Sequence, residues 1–314
     1  MNVWAPVQGQ PLAVMLLAQA VAQQRLATAY LFQGPAGVGK ALAARCLAQA
    51  LLGKSHDHPD LLWVAPETKP QETQRVVPPQ IRLDQVREIT QFVGRTPWQS
   101  DRSLVVVESA QCLQEAAQDA LLKTLEEPGH SRIILLADRP EALLPTIRSR
   151  CQVIPFRPLA PEHLRAVLHQ QGYAALAEQP ELLTLACGSP GAAIAHWHHW
   201  QALPPELLPL LREFPPSLAH ALELAHRLTH TLEPATQLWL TDYLQWWYWE
   251  RYRRREWVQI WEDARYALLH YVQPQLVWEV AWIRLYQSAP HAPAQQPQVR
   301  KHPWPGMGWV HGKV

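Results

Sequence analysis

The residues with the clearest chemical meaning form a glycine-rich segment near the start of the chain. Residues 34–40 read GPAGVGK, follow a run typical of a buried strand and open a helical pattern. In that context, glycines let backbone N–H groups turn toward a phosphate chain, and the lysine reaches the terminal phosphates. The sequence predicts a degenerate phosphate loop, with a plain glycine-rich turn as the alternative. Its candidate nucleotide-binding residues are Gly34, Pro35, Ala36, Gly37, Val38, Gly39, Lys40 and Ala41.

The residue after the loop lysine departs from the usual pattern. A serine or threonine normally stands there, because its hydroxyl holds the Mg²⁺ that accompanies the nucleotide. Here the position is Ala41, which has no oxygen to offer. We therefore expect weak binding of ATP or ADP at most, without proper placement of a metal, and no required cofactor.

The second half of such a site is an acidic pair at the end of a later strand. The apolar run 104–107 is followed by Glu108 and Ser109. The first acid holds the metal through water, and the second acts as the base for the attacking water. Glu108 keeps a carboxylate, but Ser109 cannot act as a base at neutral pH. Two separate parts of the machinery for ATP hydrolysis are therefore missing.

Strands and helices must position these residues, and the sequence of the first half of the chain predicts such elements. Helical patterns over 84–94 and 115–127 separate short apolar runs, and the alternation is typical of βαβ units with a parallel sheet. The candidate strands are 29–32, 60–65, 104–107 and 133–137.

Strand patterns stop after Pro158, and the rest of the chain is helical in pattern. We predict an α/β base domain of the phosphate-loop type over 1–158 and a small helical lid over 159–202. An all-helical collar or oligomerisation domain follows over 203–287. The remaining residues, 288–314, contain five prolines and little periodicity, which predicts a flexible tail.

Several short stretches together carry a family pattern. The most specific are LLKTLEEP at 121–128 and SRC at 149–151, and the pattern extends over residues 1 to about 195. It resembles the clamp-loader branch of the AAA+ family, and within it the delta-prime subunits of bacterial DNA polymerase III. The further matching stretches are 9–10, 29–35, 58–60, 84–88, 120 and 144–148.

The resemblance implies membership of a ring of five related subunits that opens a sliding clamp and places it on primed DNA. In that family, the arginine of the SRC motif reaches into the ATP site of a neighbouring subunit, and the matching residue is Arg150. Such an arginine raises the rate by roughly 10³–10⁵. The implied partners are gamma/tau-type ATPase subunits and a delta-type subunit. The alternative for Arg150 is an ordinary salt-bridged surface residue.

Departures from the family are equally informative. ATP-hydrolysing relatives carry an arginine after the GSPG turn and a threonine or asparagine after the fourth strand. This chain has Ala192 and Asp138 there. The stretch 51–58, where many relatives carry four cysteines, has no cysteine and only His56 and His58 as ligand candidates. We therefore expect no zinc.

The combined pattern predicts a stator, which is a ring member that serves a neighbour without hydrolysing ATP itself. The alternatives are an ATP-hydrolysing gamma-like motor subunit and a stand-alone AAA+ adaptor. The 28 basic and 27 acidic residues leave a net charge of +1, which argues against a solitary DNA binder. Without a membrane-spanning run or paired cysteines, we expect a cytoplasmic bacterial protein.

A run of arginines, 251–255, lies among the tryptophans of the C-terminal part, where eight of the 15 tryptophans fall between Trp239 and Trp282. Basic residues interleaved with aromatic residues can bind single-stranded nucleic acid. We favour a helix with one buried aromatic stripe and one solvated basic face.

Overall fold

The computed structural model describes residues 2–53, 57–67 and 79–289, and it divides the chain into two compact units, 1–201 and 202–314. The unit boundary lies close to the predicted boundary between lid and collar. The predicted division at 158 within the first unit stays a prediction. Residues 290–314 of the predicted tail lie outside the described residues.

The described part of the first unit is built on a parallel sheet with strand order β2-β3-β4-β1-β5. Its strands are almost wholly apolar and buried in the centre, as expected when helices cover both faces. The predicted parallel α/β fold is therefore confirmed. The strands are β1 Ala29–Gln33, β2 Leu61–Val64, β3 Ser103–Val107, β4 Ser131–Ala137 and β5 Gln152–Pro155.

Strand β5 was not predicted from the sequence. This strand lies at the sheet edge beside β1, and its first two residues, Gln152 and Val153, are exposed. Proline ends it at position 155. A short, half-exposed edge strand has neither the apolar run nor the alternation that identifies a strand in a sequence.

Helices cover both faces of the sheet because alternate strand residues point to opposite sides. Tyr30 and Phe32 pack with α1 and α2, whereas Leu31 packs with α3 and α4. Several helices begin with proline, whose fixed φ suits the first helical position. The helices of this unit are α1 Pro11–Ala22, α2 Lys40–Leu52, α3 Leu83–Val93, α4 Glu115–Glu126, α5 Pro145–Arg150, α6 Pro161–Gln170, α7 Ala174–Ala177, α8 Pro180–Leu185 and α9 Pro190–Gln201.

The described part of the second unit is helical and has a core of aromatic side chains. Trp257, Trp261, Trp278 and Trp282 are almost wholly buried, and the ring centres of Trp261 and Trp282 lie 5.0 Å apart. Together with Trp239, five of the eight tryptophans between Trp239 and Trp282 are thus core residues. The helices are α10 Leu207–Leu211, α11 Leu218–Thr231, α12 Pro234–Tyr252, α13 Arg255–Leu269 and α14 Pro274–Ser288. No helix in the described residues is long and apolar enough to span a membrane.

The expected single helix through the arginine run is wrong. Helix α12 ends at Tyr252 and α13 begins at Arg255, with Arg253 in the left-handed region at φ +55°. Arg253 pairs with Glu250 (2.8 Å), and the Arg254 guanidinium lies 5.2 Å from the Trp257 ring centre. The basic residues therefore form a helix junction, because local ion pairs and ring contacts stabilise a break that periodicity does not reveal.

A buried carboxylate organises the loop before β3. Asp60 is 3% exposed and accepts hydrogen bonds from the backbone N–H groups of Trp98, Gln99 and Ser100 at 2.6–2.8 Å. Burial disfavours the charged form of Asp60, but these three donors and His58 outweigh it and hold its pKa below the ordinary value. The charged carboxylate is therefore part of the folded state.

We predict that Asp60→Asn lowers the free energy of unfolding by about 2 kcal/mol at neutral pH, because an amide satisfies fewer of the three donors. A depressed folded-state pKa means that the wild-type advantage is present above the unfolded value of 3.8 and is lost as the pH falls below it. Urea unfolding at pH 7 and pH 3 measures both effects. The control is Asp101→Asn, an exposed carboxylate in the same loop; equal losses in the two variants would contradict the prediction.

Candidate functional site

The glycine-rich segment lies between the carboxyl end of β1 and the first residue of α2, which is the context that the predicted phosphate loop requires. Gly34, Gly37 and Gly39 all have positive φ, a conformation that other residues rarely adopt. At Gly34 a Cβ atom would lie 2.2 Å from the carbonyl oxygen of Phe156. The glycines of the motif are therefore required by the backbone path of this chain, whether or not a nucleotide binds.

The turn before α9 packs directly on this loop. The Ser189 hydroxyl donates to the carbonyl of Ala36 (2.6 Å), and the Gly191 N–H donates to the carbonyl of Gly37 (3.0 Å). Gly37 and Gly191 approach so closely that a Cβ on Gly37 would lie 2.8 Å from the Gly191 Cα. The chain itself thus holds the loop in shape from the lid side.

Lys40 is the most constrained charged group of the site. It is 6% exposed, and its ammonium donates to the carbonyls of Gly34 (2.6 Å) and Pro35 (2.5 Å). It also forms an ion pair with Asp138, with 2.6 Å between Nζ and Oδ1. Burial lowers the pKa of Lys40, and the Asp138 carboxylate opposes that shift. The lysine that would meet a phosphate is therefore bound by the protein's own oxygens.

Gln111 fixes the orientation of Asp138 at the end of β4. Its side-chain amide donates to Asp138 Oδ2 (3.1 Å), and its carbonyl accepts the backbone N–H of Asp138 (3.2 Å). Gln111 lies in a short 3₁₀ helix that follows β3. The carboxyl ends of two adjacent strands are thus joined through one carboxylate to the loop lysine.

The candidate acidic residue is also engaged. The Glu108 carboxylate accepts a hydrogen bond from the Trp63 indole N–H (2.9 Å), and the Arg45 guanidinium lies 4.5 Å from the Trp63 ring centre. Ser109 follows with φ +49°, and its side chain brings no carboxylate to the site. Glu108 therefore contributes to an indole contact instead of standing free for a metal-bound water.

Residues 36–41 of the phosphate loop and Glu108 line one cavity of about 370 Å³, whereas Gly34 and Pro35 do not line it. Asp138 also lines it, together with the apolar residues Val7, Leu159, Val167 and Ile194. These residues do not fit a metal-bound nucleoside triphosphate, because Ala41 offers no metal ligand and the charge of Lys40 is already paired with Asp138. The structure thus brings the predicted residues together, but it binds Lys40 to Gly34, Pro35 and Asp138, and Glu108 to Trp63.

Arg150 does not line this cavity. It ends α5 with its side chain about one-third exposed, and it binds Glu126 through Nε (2.8 Å) and Nη2. Its Nη1 donates to the carbonyl of Thr146 (3.0 Å). The predicted in-trans arginine is therefore a surface group held by a surface carboxylate, separate from the chain's own cavity.

Several residues of the site carried no sequence signal that singled them out. Gln111 and Trp63 belong to no motif, and their roles depend on contacts between distant segments. Glu126 lies inside the family stretch at 121–128, and this was the only sequence feature that marked it as a candidate site residue. His58 is buried, and its Nδ1 accepts the N–H of Asp60 (3.1 Å). His56 lies outside the described residues, so the expectation of no zinc stays a prediction.

The fold and the site together define the class of protein. A parallel sheet with a phosphate loop after β1, and a helical lid turn bound to that loop, form the base and lid of an AAA+ module. A solved structure of a DNA polymerase III gamma subunit-related protein from Thermotoga maritima shares this fold, with a TM-score of 0.56 and 17% identity. That match covers 86% of this chain and 98% of that one.

Comparison with protein families narrows the class. A model described as "DNA polymerase III, delta subunit" matches residues 9–160, and one described as "Cyanobacterial DNA polymerase III delta prime, C-terminal domain" matches 162–285. The chain belongs to the DNA polymerase III delta-prime family. The second match covers the region in which the sequence analysis found no motif.

Individual relatives agree with this assignment. DNA polymerase III subunit delta' of Bacillus subtilis is 31% identical over 180 residues, covering 52% of each chain. A DNA polymerase III subunit gamma/tau of Mycobacterium bovis is 33% identical over 175 residues, covering 52% of this chain and 30% of that one. The chain thus spans about half the length of its delta' relative in this match.

We predict that Gly37→Ala destabilises the first unit more than Gly39→Ala does. Both glycines have positive φ, but only a Cβ at Gly37 meets neighbouring atoms, among them Ser189 Oγ at 2.7 Å. The difference isolates the contact between loop and lid turn, and we expect it to be about 1–3 kcal/mol. Thermal unfolding of the two variants measures it, and equal losses would show that this contact is not under steric constraint.

Proposed function

We propose that this chain is the non-hydrolysing stator subunit of a DNA polymerase III clamp loader, the assembly that loads a sliding clamp onto primed DNA. In this role it supplies Arg150 in trans to the ATP site of a neighbouring subunit. One observation carries the proposal. In the chain's own phosphate-loop cavity, the Lys40 charge is paired with Asp138 and Glu108 accepts the Trp63 indole N–H, whereas Arg150 lies on the surface outside that cavity.

The absence of hydrolysis follows from the chemistry of the cavity residues. Hydrolysis of a nucleoside triphosphate needs a metal ion, a positioned water and positive charge near the transferring phosphate. Ala41 cannot bind a metal ion, Ser109 cannot take a proton from water, and the Lys40 charge is compensated by Asp138. These are different functions, so restoring any one of them leaves the others missing.

The surroundings of Arg150 support a role toward a phosphate on another subunit. Its partner Glu126 is about half exposed, and exposed ion pairs of this kind contribute only about 0–1 kcal/mol. A guanidinium binds phosphate oxygens through two parallel charge-assisted hydrogen bonds, which are stronger than neutral ones. Exchange of Glu126 for a phosphate is therefore favourable once a neighbour presents one.

The contact between the lid turn and the phosphate loop supports the stator part of the proposal. The Ser189 hydroxyl and the Gly191 N–H donate hydrogen bonds directly to loop carbonyls. A subunit whose base and lid are joined in this way keeps one geometry through the ATP cycle of its neighbours. The proposed partners are gamma/tau-type ATPase subunits and a delta-type subunit, with clamp and primed DNA contacted by the assembly as a whole.

We predict that Arg150→Ala, in a complex reconstituted with gamma/tau-type and delta-type subunits, leaves assembly intact and lowers ATP turnover. At the site that the arginine serves, the expected loss is roughly 10³–10⁵-fold. The control is Arg148→Ala, an exposed arginine of the same helix. Size-exclusion chromatography checks assembly, and steady-state phosphate release checks turnover. Unchanged turnover in the Arg150 variant would refute the role in trans.

We also predict that the purified chain alone shows no Mg²⁺-dependent ATP turnover above buffer, because its cavity lacks a metal ligand and a base. The measurement is phosphate release from the isolated protein, with Lys40→Ala as its control. Steady turnover that this variant abolishes would instead establish a gamma-like motor subunit. A chain that fails to join the other subunits would point to a stand-alone adaptor.

A further inference from the structure

We propose that the Asp138 carboxylate takes the place of nucleotide phosphate in the loop of this protein. As an internal anion, it holds the phosphate loop in shape when no ligand is bound, and it disfavours the binding of nucleoside di- and triphosphates. The inference rests on the proposed non-hydrolysing function and adds the residue that decides nucleotide binding. Three features carry it: the donors of Lys40 all have partners, the orientation of Asp138 is fixed, and Asp138 brings a negative charge.

The hydrogen-bonding capacity of Lys40 is fully used. A lysine ammonium has three N–H donors and no acceptor. In this chain they have three partners, the carbonyls of Gly34 and Pro35 and the carboxylate of Asp138, all at 2.5–2.6 Å. A phosphate that binds this lysine must displace one of them. Because the two carbonyls belong to the loop itself, Asp138 is the partner that an incoming phosphate would have to replace.

Asp138 is held in place for this contact. Gln111 binds both the carboxylate and the backbone N–H of Asp138, so that Oδ1 is directed to Lys40 while Oδ2 accepts from Gln111. Rotation of the carboxylate away from Lys40 would break both contacts at once. It would also leave the ammonium of a 6% exposed lysine without its counter-charge, which is costly in a buried setting.

The charge of Asp138 also acts on a phosphate directly. A phosphate near Lys40 Nζ would lie within a few ångströms of the Asp138 carboxylate, where like charges repel strongly. A bound Mg²⁺ would ordinarily offset part of this repulsion, but Ala41 removes one of its ligands. The apolar side chains of Val7, Leu159 and Val167, which also line the cavity, take no part in this repulsion. The exclusion therefore acts on the phosphate groups of a nucleotide.

The test is an equilibrium titration of the full chain with fluorescent ADP and ATP analogues. We expect Asp138→Asn to bind both at least 10-fold more tightly than the wild type, because Lys40 regains a free charge. Lys40→Ala in the same background should remove the gain. The matched control is Glu141→Gln, which removes an exposed negative charge three residues away that does not contact Lys40; it should leave affinity unchanged.

Asp138→Thr serves as a second variant, so that poor folding of the asparagine variant does not end the test. Equal affinities of wild type and both folded variants would overturn the inference, as would tight binding of ATP by the wild type. Either result leaves the stator function standing, because binding differs from hydrolysis. Conversely, ATP turnover by the wild-type chain would contradict the proposed function, whatever the titration of Asp138→Asn shows.

Discussion

The structure of the site depends on one constraint: a buried lysine ammonium in the phosphate loop must have its charge and its hydrogen-bond donors satisfied. Lys40 meets this requirement with two carbonyls of its own loop and the carboxylate of Asp138. The carboxylate needs an orienting partner in turn, and Gln111 after β3 provides it. In this way one charge joins the ends of β1, β3 and β4 into a single polar network.

The lid turn completes this arrangement from the other side of the loop. Ser189 and Gly191 satisfy loop carbonyls that no strand or helix pairs, and the close approach of Gly191 to Gly37 leaves no room for a side chain. A loop fixed on both sides has little need of a nucleotide to order it. That property suits the proposed stator, whose contribution to ATP turnover would be Arg150 on its surface.

Much of the fold could be predicted from the sequence, because burial on both faces leaves continuous apolar runs in β1, β3 and β4. The edge strand β5 and the break at Arg253 could not. A short edge strand leaves little apolar pattern, and a helix junction held by ion pairs and ring contacts leaves none. The glycines predicted the position of the loop between β1 and α2, and Ala41 and Ser109 predict that metal and base chemistry are lost there.

The sequence by itself determined which chemical groups the protein lacks, since an absent hydroxyl or carboxylate cannot be supplied by folding. It also determined the delta-prime resemblance through short motifs in the first unit. Only the tertiary structure decided what the remaining groups do. Asp138 and Lys40 are 98 positions apart in the sequence, and Glu108 and Trp63 are 45 positions apart. Pairing between such residues depends on strand order and on three-dimensional distances, which no local pattern of residue types encodes.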